Sequence, residues 1–252
     1  MKRIAIILSA PGGYDKRTER LEGIVNDVDN WKNFLSSNIG GAWEEDEDEI
    51  IVINDPTLDD IMNLRNLVKI NNYDFVFLAF SGHGAYDKTT KRNGYFINNK
   101  IIPEGYFLLD ANRQLTIFDA CRVPEDNIFG LECFSEEGVD IIKSLARLNE
   151  KEIRQLYKKA YNNSILKLPI HMEERLYSCS IGETAGDIGT GGLFTVNLIN
   201  AVRTISGVQD GIITTNKAFS KAKEDTINDR RGQNPMCILS RTPFPIGISI
   251  LI

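Results

Sequence analysis

The fold is decided by a stretch near the middle of the chain, FVFLAFSGHG at residues 75–84. Six consecutive apolar residues are typical of a strand that is buried on both faces, and a glycine-flanked histidine, His83, follows shortly after them. A second apolar run, LTIF at residues 115–118, is followed by DACR at residues 119–122. Because residues just past the carboxyl ends of strands line the functional crevice of an open α/β sheet, we expect His83 and Cys121 to meet there.

Strand-like and helix-like segments alternate along the rest of the chain. Residues 2–8 and 49–54 are predicted strands, and the apolar residues between them recur at helical spacing. Such alternation predicts a mainly parallel sheet with helices on both faces. The remaining predicted elements are a helix at 58–70, a strand at 74–80, an exposed hairpin or edge at 94–102, a short helix at 103–109, a strand at 115–120, a helical region at 139–162, a strand at 175–180, helices at 193–206 and 215–227, and a strand at 236–239.

The composition is typical of a globular protein with one sizeable core. The chain has 252 residues, of which 42% are hydrophobic, and a net charge of −6 at pH 7. This acidic balance argues against nucleic acid as a partner. Membrane binding is not expected either, since no apolar run approaches the roughly 18 residues that a span requires. We expect a single domain over residues 1–252, with the N-terminal apolar run as its first core strand rather than a signal peptide.

One connection is unusually long for an α/β protein. Residues 122–174 directly follow the cysteine, and we interpret them as an insertion beside the site. Two roles stay open: the helical part of the insertion packs on the sheet, or the segment is a regulatory or cleavable element. Basic residues that offer points for self-cleavage are Arg147, Arg154, Lys158 and Lys159.

The cysteines favour a reducing, cytoplasmic compartment. All four are sparse and form no C-x-x-C pair, which argues against a zinc site and against a disulfide framework. Cys179 and Cys237 lie in apolar segments and are interpreted as core thiols, whereas the role of Cys133 stays open. The pair Gly12-Gly13 follows the first strand, but no nucleotide-binding pattern accompanies it. We therefore expect no cofactor.

A thiol and an imidazole in one crevice suggest a cysteine peptidase. A cysteine near its free pKa is little ionised at neutral pH, so it needs a neighbouring imidazole to accept its proton and later to protonate the leaving amine. His83 is the candidate, because the other histidine, His171, lies in a polar, loop-like stretch. The backbone N–H groups of Gly84 and Cys121 are the candidate donors to the oxyanion of the intermediate.

At these motifs the chain resembles the caspase-like cysteine peptidases, which include caspases, metacaspases and their bacterial relatives. In that group an apolar strand ends in S-G-H-G, and a later one ends in D-x-C or Q-A-C. LEGIVND at residues 21–27 resembles a metacaspase segment, with Ile24 in place of its cysteine, and Val123-Pro124 is a departure from the family after Arg122. Later segments that fit the family are GETAGD at 182–187, GGLFT at 191–195 and QNP at 233–235.

The resemblance implies a three-layer α/β/α sandwich around a mostly parallel six-stranded sheet, and hydrolysis of peptide bonds by a cysteine endopeptidase. By the same resemblance, Asp27, Ser81 and Asp119 match positions that line an S1 pocket for a basic residue, and Asp187 lies in the neighbouring loop. We therefore expect cleavage after arginine or lysine, which acidic side chains recognise. Arg122 offers the weaker alternative of selection for aspartate.

The resemblance also raises the question of calcium, which many metacaspases require. The acidic run at residues 44–49 is a candidate site. It lacks the alternating ligands and the central glycine of a calcium loop, so a solvated loop is the favoured interpretation and no metal ligand is assigned.

The favoured function is a regulated effector of bacterial antiviral defence or cell death that cleaves a protein or peptide substrate. Its control would come from an activating protein or a small ligand, and this biological part rests on analogy with the family. Two other functions stay open. A catalytically silent caspase-like module would bind and regulate a partner. A flavodoxin-like ligand-binding module would explain the alternation of strands and helices but would leave both motifs accidental.

Overall fold

The computed structural model describes residues 1–13, 19–45, 48–124, 149–206, 211–230, 232–242 and 245–252. Strands and helices alternate through most of this length. In chain order the elements are β1 (Arg3–Ala10), α1 (Val25–Ser36), β2 (Ile50–Asn54), α2 (Leu58–Asn71), β3 (Phe75–Gly82), β4 (Gly84–Asp87), β5 (Arg92–Ile97), β6 (Lys100–Pro103), a 3-10 turn (Glu104–Phe107), β7 (Arg113–Ala120), α3 (Glu150–Leu166), β8 (Met172–Tyr177), α4 (Leu193–Ser206), β9 (Gly211–Thr214), α5 (Thr215–Asp229), β10 (Met236–Ile238) and β11 (Gly247–Leu251).

Six strands form the central sheet, in the order β10-β8-β7-β3-β1-β2. The pairs that join β8, β7, β3, β1 and β2 are parallel, and β10 runs antiparallel to β8 at one edge. The predicted mostly parallel, six-stranded sheet is confirmed.

The apolar sequence of β3 follows from burial on both faces of the sheet. Successive side chains of a strand point to opposite faces. Phe75, Phe77 and Ala79 belong to the core that includes residues of α1, α3, α4 and α5. Val76 and Leu78 belong to the core that includes α2 and the small sheet β4-β5-β6. Three layers result, as the resemblance implied.

The register of the parallel strands brings three loop segments to one edge of the sheet. Ala10 of β1 lies opposite Gly82 of β3, and Gly82 lies opposite Ala120 of β7. The residues that come next, Pro11, His83 and Cys121, therefore leave the sheet side by side. The register therefore brings His83 and Cys121 to the same edge of the sheet.

The predicted exposed hairpin or edge exists as β5 and β6, with an exposed turn at residues 98–100, but most of β5 is buried. The side chains of Tyr95, Phe96 and Ile97 are buried, and the ring of Tyr95 stacks on that of Phe118 with centroids 4.4 Å apart. For β5 the prediction of exposure is wrong because β4 adds a third strand and the hairpin packs against the central sheet.

The second half of the predicted insertion is a helix that packs on the sheet. Helix α3 begins with a capping box between Asn149 and Glu152, and its residues Tyr157, Tyr161 and Ile165 are buried in the core. The predicted helical region began at residue 139, and its first ten residues lie outside the described part of the chain. The short strands β9 and β11, which pair with each other, were not predicted from the sequence.

Of the helices that the structure describes, none combines the length and the apolar character that a bilayer crossing demands.

Candidate active site

His83 follows β3 and is held by the loop after β1. Its ring atom Nε2 lies 2.6 Å from the carbonyl oxygen of Glu19. Because a carbonyl oxygen only accepts hydrogen bonds, Nε2 carries the proton in the neutral ring, which leaves the lone pair on Nδ1. Burial lowers the pKa of His83, and the hydrogen bond to Glu19 acts in the opposite direction. The resting imidazole is thus a neutral base that presents Nδ1.

Gly12 packs against the Cδ2 and Nε2 atoms of this ring. The residue has a φ of +81°, and a Cβ atom built on it would lie 2.6 Å from Cδ2 of His83. A glycine at this position therefore permits both the left-handed turn and the close approach of the backbone to the imidazole. Nothing in the sequence pattern around Gly12-Gly13 predicted this contact.

Cys121 follows β7, and its thiol is buried beneath the loop at residues 182–187. Its Sγ atom accepts a hydrogen bond from the backbone N–H of Ala185 at 3.3 Å. Burial raises the pKa of the thiol, the Ala185 N–H lowers it, the Asp119 carboxylate raises it and the Arg230 guanidinium lowers it. No hydrogen bond joins the two described side chains of His83 and Cys121 to each other. The resting pair is a neutral thiol beside a neutral imidazole.

The backbones of the two predicted oxyanion donors, Gly84 and Cys121, lie against each other. Phe96 N donates to His83 O at 3.0 Å, so Gly84 and Tyr95, the next pair of this antiparallel ladder, form a non-hydrogen-bonded pair. The N–H of Gly84 therefore points away from β5, toward the segment that begins at Cys121. A Cβ atom on Gly84 would clash with the carbonyl oxygen of Cys121. The backbone N–H of Cys121 itself lowers the pKa of its own thiol.

Two buried carboxyl groups lie together between α1, β7 and the N-terminus of α4. Asp27 Oδ1 accepts a hydrogen bond from Gly192 N at 3.0 Å, and Asp119 Oδ2 accepts one from Thr195 N at 2.9 Å. Each carboxylate thus satisfies a backbone donor at the start of α4, where negative charge is favourable. Asp27 Oδ2 is buried and has no partner among the described residues.

The pKa values of Asp27 and Asp119 are both raised. Burial and the charge of Asp119 raise the pKa of Asp27 well above its ordinary value, while the nearby Ser81 hydroxyl and the Gly192 N–H lower it. Burial raises the pKa of Asp119 to about 6, and the charge of Asp187 acts in the same direction. Like charges in a buried site resist ionisation together, and a bound cation would relieve them.

Ser81 and Asp187 also lie in this acidic cluster, although their roles differ. Ser81 is buried beside Asp27. Both carboxylate oxygens of Asp187 are occupied, because one accepts from Gly23 N and the other from Gly189 N, each at 2.9 Å. Asp187 therefore fixes the loop around the cluster, while Asp27 presents the unpaired oxygen.

Arg122 does not face the acidic cluster. Its guanidinium stacks over Tyr177 at 4.3 Å from the ring centroid, and its Nε donates to Asn93 Oδ1 at 3.0 Å. Asn93 in turn donates to the buried carboxylate of Glu104, which also accepts from the Tyr177 hydroxyl. A guanidinium enclosed in this network is not available to grip a substrate aspartate, so the alternative role of Arg122 is not supported by its position.

The acidic run at residues 44–49 binds basic side chains of the protein where it is described. Glu44 pairs with Arg154 at 3.3 Å, and Glu49 pairs with Arg3 at 3.0 Å and with Lys158 at 3.3 Å. Among the residues that the structure describes, no group of three or more metal-ligating side chains is found. Residues 46–47 lie outside that part of the chain.

Three of the four suggested points for self-cleavage lie inside helix α3. Arg154 donates to the carbonyl oxygens of Ser36 and Trp43 at 2.5 and 2.6 Å. Lys158 is paired as described, and Lys159 is the next residue of the same helix. Cleavage at these residues would require α3 to unfold. Arg147 lies outside the described residues.

The other residues singled out from the sequence lie away from the site or beside it. His171 is exposed, in a loop with a φ of +62°. Cys179 is buried next to Cys121, as a core thiol should be, whereas Cys237 is only half-buried at the sheet edge. Cys133 lies outside the described residues. A cavity of about 320 Å³ lies at the opposite end of the sheet, near Tyr73 and Asn112.

A three-layer α/β/α sandwich with a histidine and a cysteine at neighbouring strand ends is the architecture of the caspase-type cysteine peptidases. A family model for the caspase domain matches residues 2–243. The chain therefore belongs to the caspase-domain family, a family of cysteine peptidases.

Solved structures agree with this assignment at the level of the fold. Caspase-1 from Spodoptera frugiperda is similar with a TM-score of 0.65 at 11% sequence identity, covering 99% of this chain and 90% of that one. A protein from Geobacter sulfurreducens is similar with a TM-score of 0.58 at 13% identity, covering all of both chains. A search of curated proteins finds no significant sequence match.

Proposed function

We propose that the protein is a cysteine endopeptidase in which His83 and Cys121 hydrolyse the peptide bond after arginine or lysine. The observation that carries the specificity is the buried pair Asp27 and Asp119, one of whose carboxylate oxygens has no partner among the described residues. The pair lies at the same end of the sheet as the thiol, because Asp119 precedes Cys121 by two residues.

The chemistry follows from the tautomer of His83. Nδ1 accepts the thiol proton of Cys121, and the imidazolium that forms keeps its Nε2–H on the carbonyl oxygen of Glu19. The thiolate attacks the scissile carbonyl carbon, and the N–H groups of Gly84 and Cys121 stabilise the oxyanion. His83 then gives the proton to the leaving amine, and water hydrolyses the acyl-enzyme with His83 again as base.

The acidic cluster supports recognition of a basic side chain. A guanidinium or ammonium group beside Asp27 Oδ2 would restore the partner that this oxygen lacks. It would also stabilise the ionised form of both carboxyl groups, whose pKa values are raised by burial. Arginine fits this requirement best, since its planar fork can donate to two carboxylates at once.

The loop over the thiol supports a regulated enzyme. The Cys121 side chain is buried, with 8% of the residue exposed. Both the N–H and the carbonyl oxygen of Ala185 contact the Cys121 sulfur. A substrate carbonyl has to reach this sulfur, so the main chain at Ala185 must move before hydrolysis. An activating protein, a small ligand or self-cleavage at Arg147 would supply that movement. A role in bacterial defence or cell death, inside the cytoplasm, is proposed on the resemblance alone.

The test is hydrolysis of fluorogenic peptides that present arginine, lysine or aspartate before the scissile bond. We expect release after arginine and lysine that is lost in Cys121→Ala and in His83→Ala. Parallel assays with added calcium and with a chelator decide whether a metal contributes. Release after aspartate alone would refute the assignment of the acidic pocket while retaining the peptidase.

A catalytically silent module is the second candidate, and the covered thiol favours it. Such a module would keep the acidic cluster as a structural cap of α4 and would bind its partner elsewhere. Thiol-directed peptide warheads separate the two candidates, because a peptidase is labelled selectively at Cys121 and a silent module is not.

A further inference from the structure

Arg230 lies behind the loop that covers the nucleophile. It follows α5, and its backbone N–H donates to Thr226 O at 2.9 Å. Its guanidinium turns back toward the 182–187 loop, where Nη2 donates to Thr184 Oγ1 at 3.1 Å. Nη1 is buried and has no partner among the described residues. No feature of the sequence pattern predicted a role for this arginine.

The guanidinium contacts the residues on either side of Ala185. Thr184 precedes it and accepts the hydrogen bond from Nη2. Gly186 follows it, and a Cβ atom there would lie 2.6 Å from Nη1, so the backbone of the loop rests directly on the arginine. Gln233 completes the support by accepting from Gly186 N at 2.8 Å. Ala185, held between these contacts, donates its N–H to Cys121 Sγ.

Arg230 supplies positive charge near Cys121, where Asp119 supplies negative charge. Asp119 approaches from β7 and disfavours a thiolate, and the neighbouring Cys179 thiol after β8 supplies no positive charge. His83 approaches from β3 as a neutral ring whose pKa is lowered by burial. A guanidinium carries a permanent positive charge in proteins, and that of Arg230 lowers the pKa of the Cys121 thiol.

We propose that Arg230 is a positioning residue for the nucleophile in its resting state: until the loop moves, it holds the Ala185 N–H on the Cys121 sulfur, and it supplies positive charge that favours the ionised thiol. The inference rests on the proposed role of Cys121 as nucleophile. Arg230 itself contacts neither the substrate nor the Cys121 sulfur. It acts through the 182–187 loop, which lies between its guanidinium and Cys121.

The test is the rate of alkylation of Cys121 by iodoacetamide as a function of pH, measured on the Cys121-containing peptide by mass spectrometry. Only the thiolate reacts, so the rate below the pKa follows the ionised fraction. In Arg230→Gln the profile moves to higher pH, and the rate at pH 7 falls about tenfold if the pKa of the thiol rises by about one. Arg230→Lys keeps the charge and moves the profile less. Arg203→Gln removes the same charge from an exposed position on α4 and leaves the profile unchanged.

The proposal is overturned if folded Arg230→Gln gives the same pH profile as the unaltered protein. It is also overturned if Arg203→Gln moves the profile as far as Arg230→Gln does. If Arg230→Gln does not fold, Thr184→Val decides, because it removes the acceptor that aims the guanidinium. A profile displaced to higher pH then supports the proposal, and an unchanged profile overturns it. Alkylation needs no peptide hydrolysis, so a protein that cleaves no peptide would refute the proposed function and leave this test intact.

Discussion

The imidazole of His83 donates its Nε2 proton to the carbonyl oxygen of Glu19, across 2.6 Å. This contact fixes both the tautomer and the orientation of the ring, and it comes from a backbone atom of the loop after β1. The same loop supplies Gly12, whose backbone lies against the ring. The ring is thus held by main-chain atoms, and burial lowers its pKa while the charge of the Glu19 carboxylate raises it.

The first prediction concerns this loop. Gly12→Ala places a Cβ atom 2.6 Å from Cδ2 of His83, so the ring must move away from Glu19 O. We expect kcat toward an arginine peptide to fall by about tenfold to a hundredfold, with a smaller change in KM, because misplacing a catalytic group by about 1 Å has this order of effect.

The matched control for that substitution is Gly211→Ala. Gly211 also has a positive φ, +97°, but a Cβ atom there meets open space. Both variants should lose about 1 kcal/mol of stability from the left-handed backbone, measured by urea unfolding. Equal catalytic losses in both variants would contradict the account, since only Gly12 touches the base.

The second prediction concerns the acidic cluster. Asp119→Asn keeps an acceptor for Thr195 N but removes one charge from the pocket. We expect kcat/KM for arginine peptides to fall at least about 30-fold, since losing one partner of a buried charge pair costs about 2 kcal/mol or more. Asp27→Asn should behave in the same way.

Stability separates this role from a purely structural one. Burial and mutual repulsion raise the pKa values of Asp27 and Asp119, so neutralising either carboxyl should leave the Tm unchanged or raise it. A large drop in Tm with unaltered selectivity for arginine over aspartate would show that the carboxylates only cap α4.

The third prediction is a pH dependence that differs between substrates. Burial raises the pKa of Asp119 to about 6, so this carboxyl becomes neutral as the pH falls below that value and loses its attraction for a cation. The ratio of kcat/KM for an arginine peptide to that for a glutamine peptide should therefore fall below about pH 6. The ratio isolates the pocket, because protonation of His83 affects both substrates equally. In Asp119→Asn the fall should be smaller, because only Asp27, whose pKa burial also raises, is left to titrate in the pocket.

The fourth prediction assigns Arg122 a structural role. Arg122→Lys loses the planar stack on Tyr177 and the geometry of the bond to Asn93. We expect a loss of about 1–2 kcal/mol of stability with no new cleavage after aspartate and no change in the arginine preference. Arg65→Lys, in the half-exposed pair with Asp110, is the control and should cost less than about 1 kcal/mol. A changed preference in Arg122→Lys would instead place this residue in substrate selection.

The strand ends could be predicted from sequence because burial on both faces forces long apolar runs. FVFLAF and LTIF at residues 75–80 and 115–118 are such runs, and the parallel register then places His83 beside Cys121. The cluster around Asp27 and Asp119 could be expected only from the resemblance, since the two residues lie 92 positions apart in the sequence and no periodicity links them.

Contacts made by main-chain atoms could not be predicted in this way. Glu19 holds His83 through its carbonyl, and Ala185 reaches Cys121 through its N–H, so neither side chain carries a signal. The buried hairpin was misjudged for a related reason, because alternation along β5 shows which residues share a face but not whether another layer covers it. The role of Arg230 could not be predicted either, because only the fold places the end of α5 behind the 182–187 loop.

The most direct measurement is the rate at which Cys121 is modified by peptide warheads that end in arginine or in aspartate, followed by intact-mass spectrometry. We expect a single adduct at Cys121 that forms much faster with the arginine warhead, forms slowly in His83→Ala and is absent in Cys121→Ala. Equal rates for both warheads, or modification of the other cysteines in place of Cys121, would contradict the central claim that these residues form the nucleophile, base and basic-residue pocket of a peptidase.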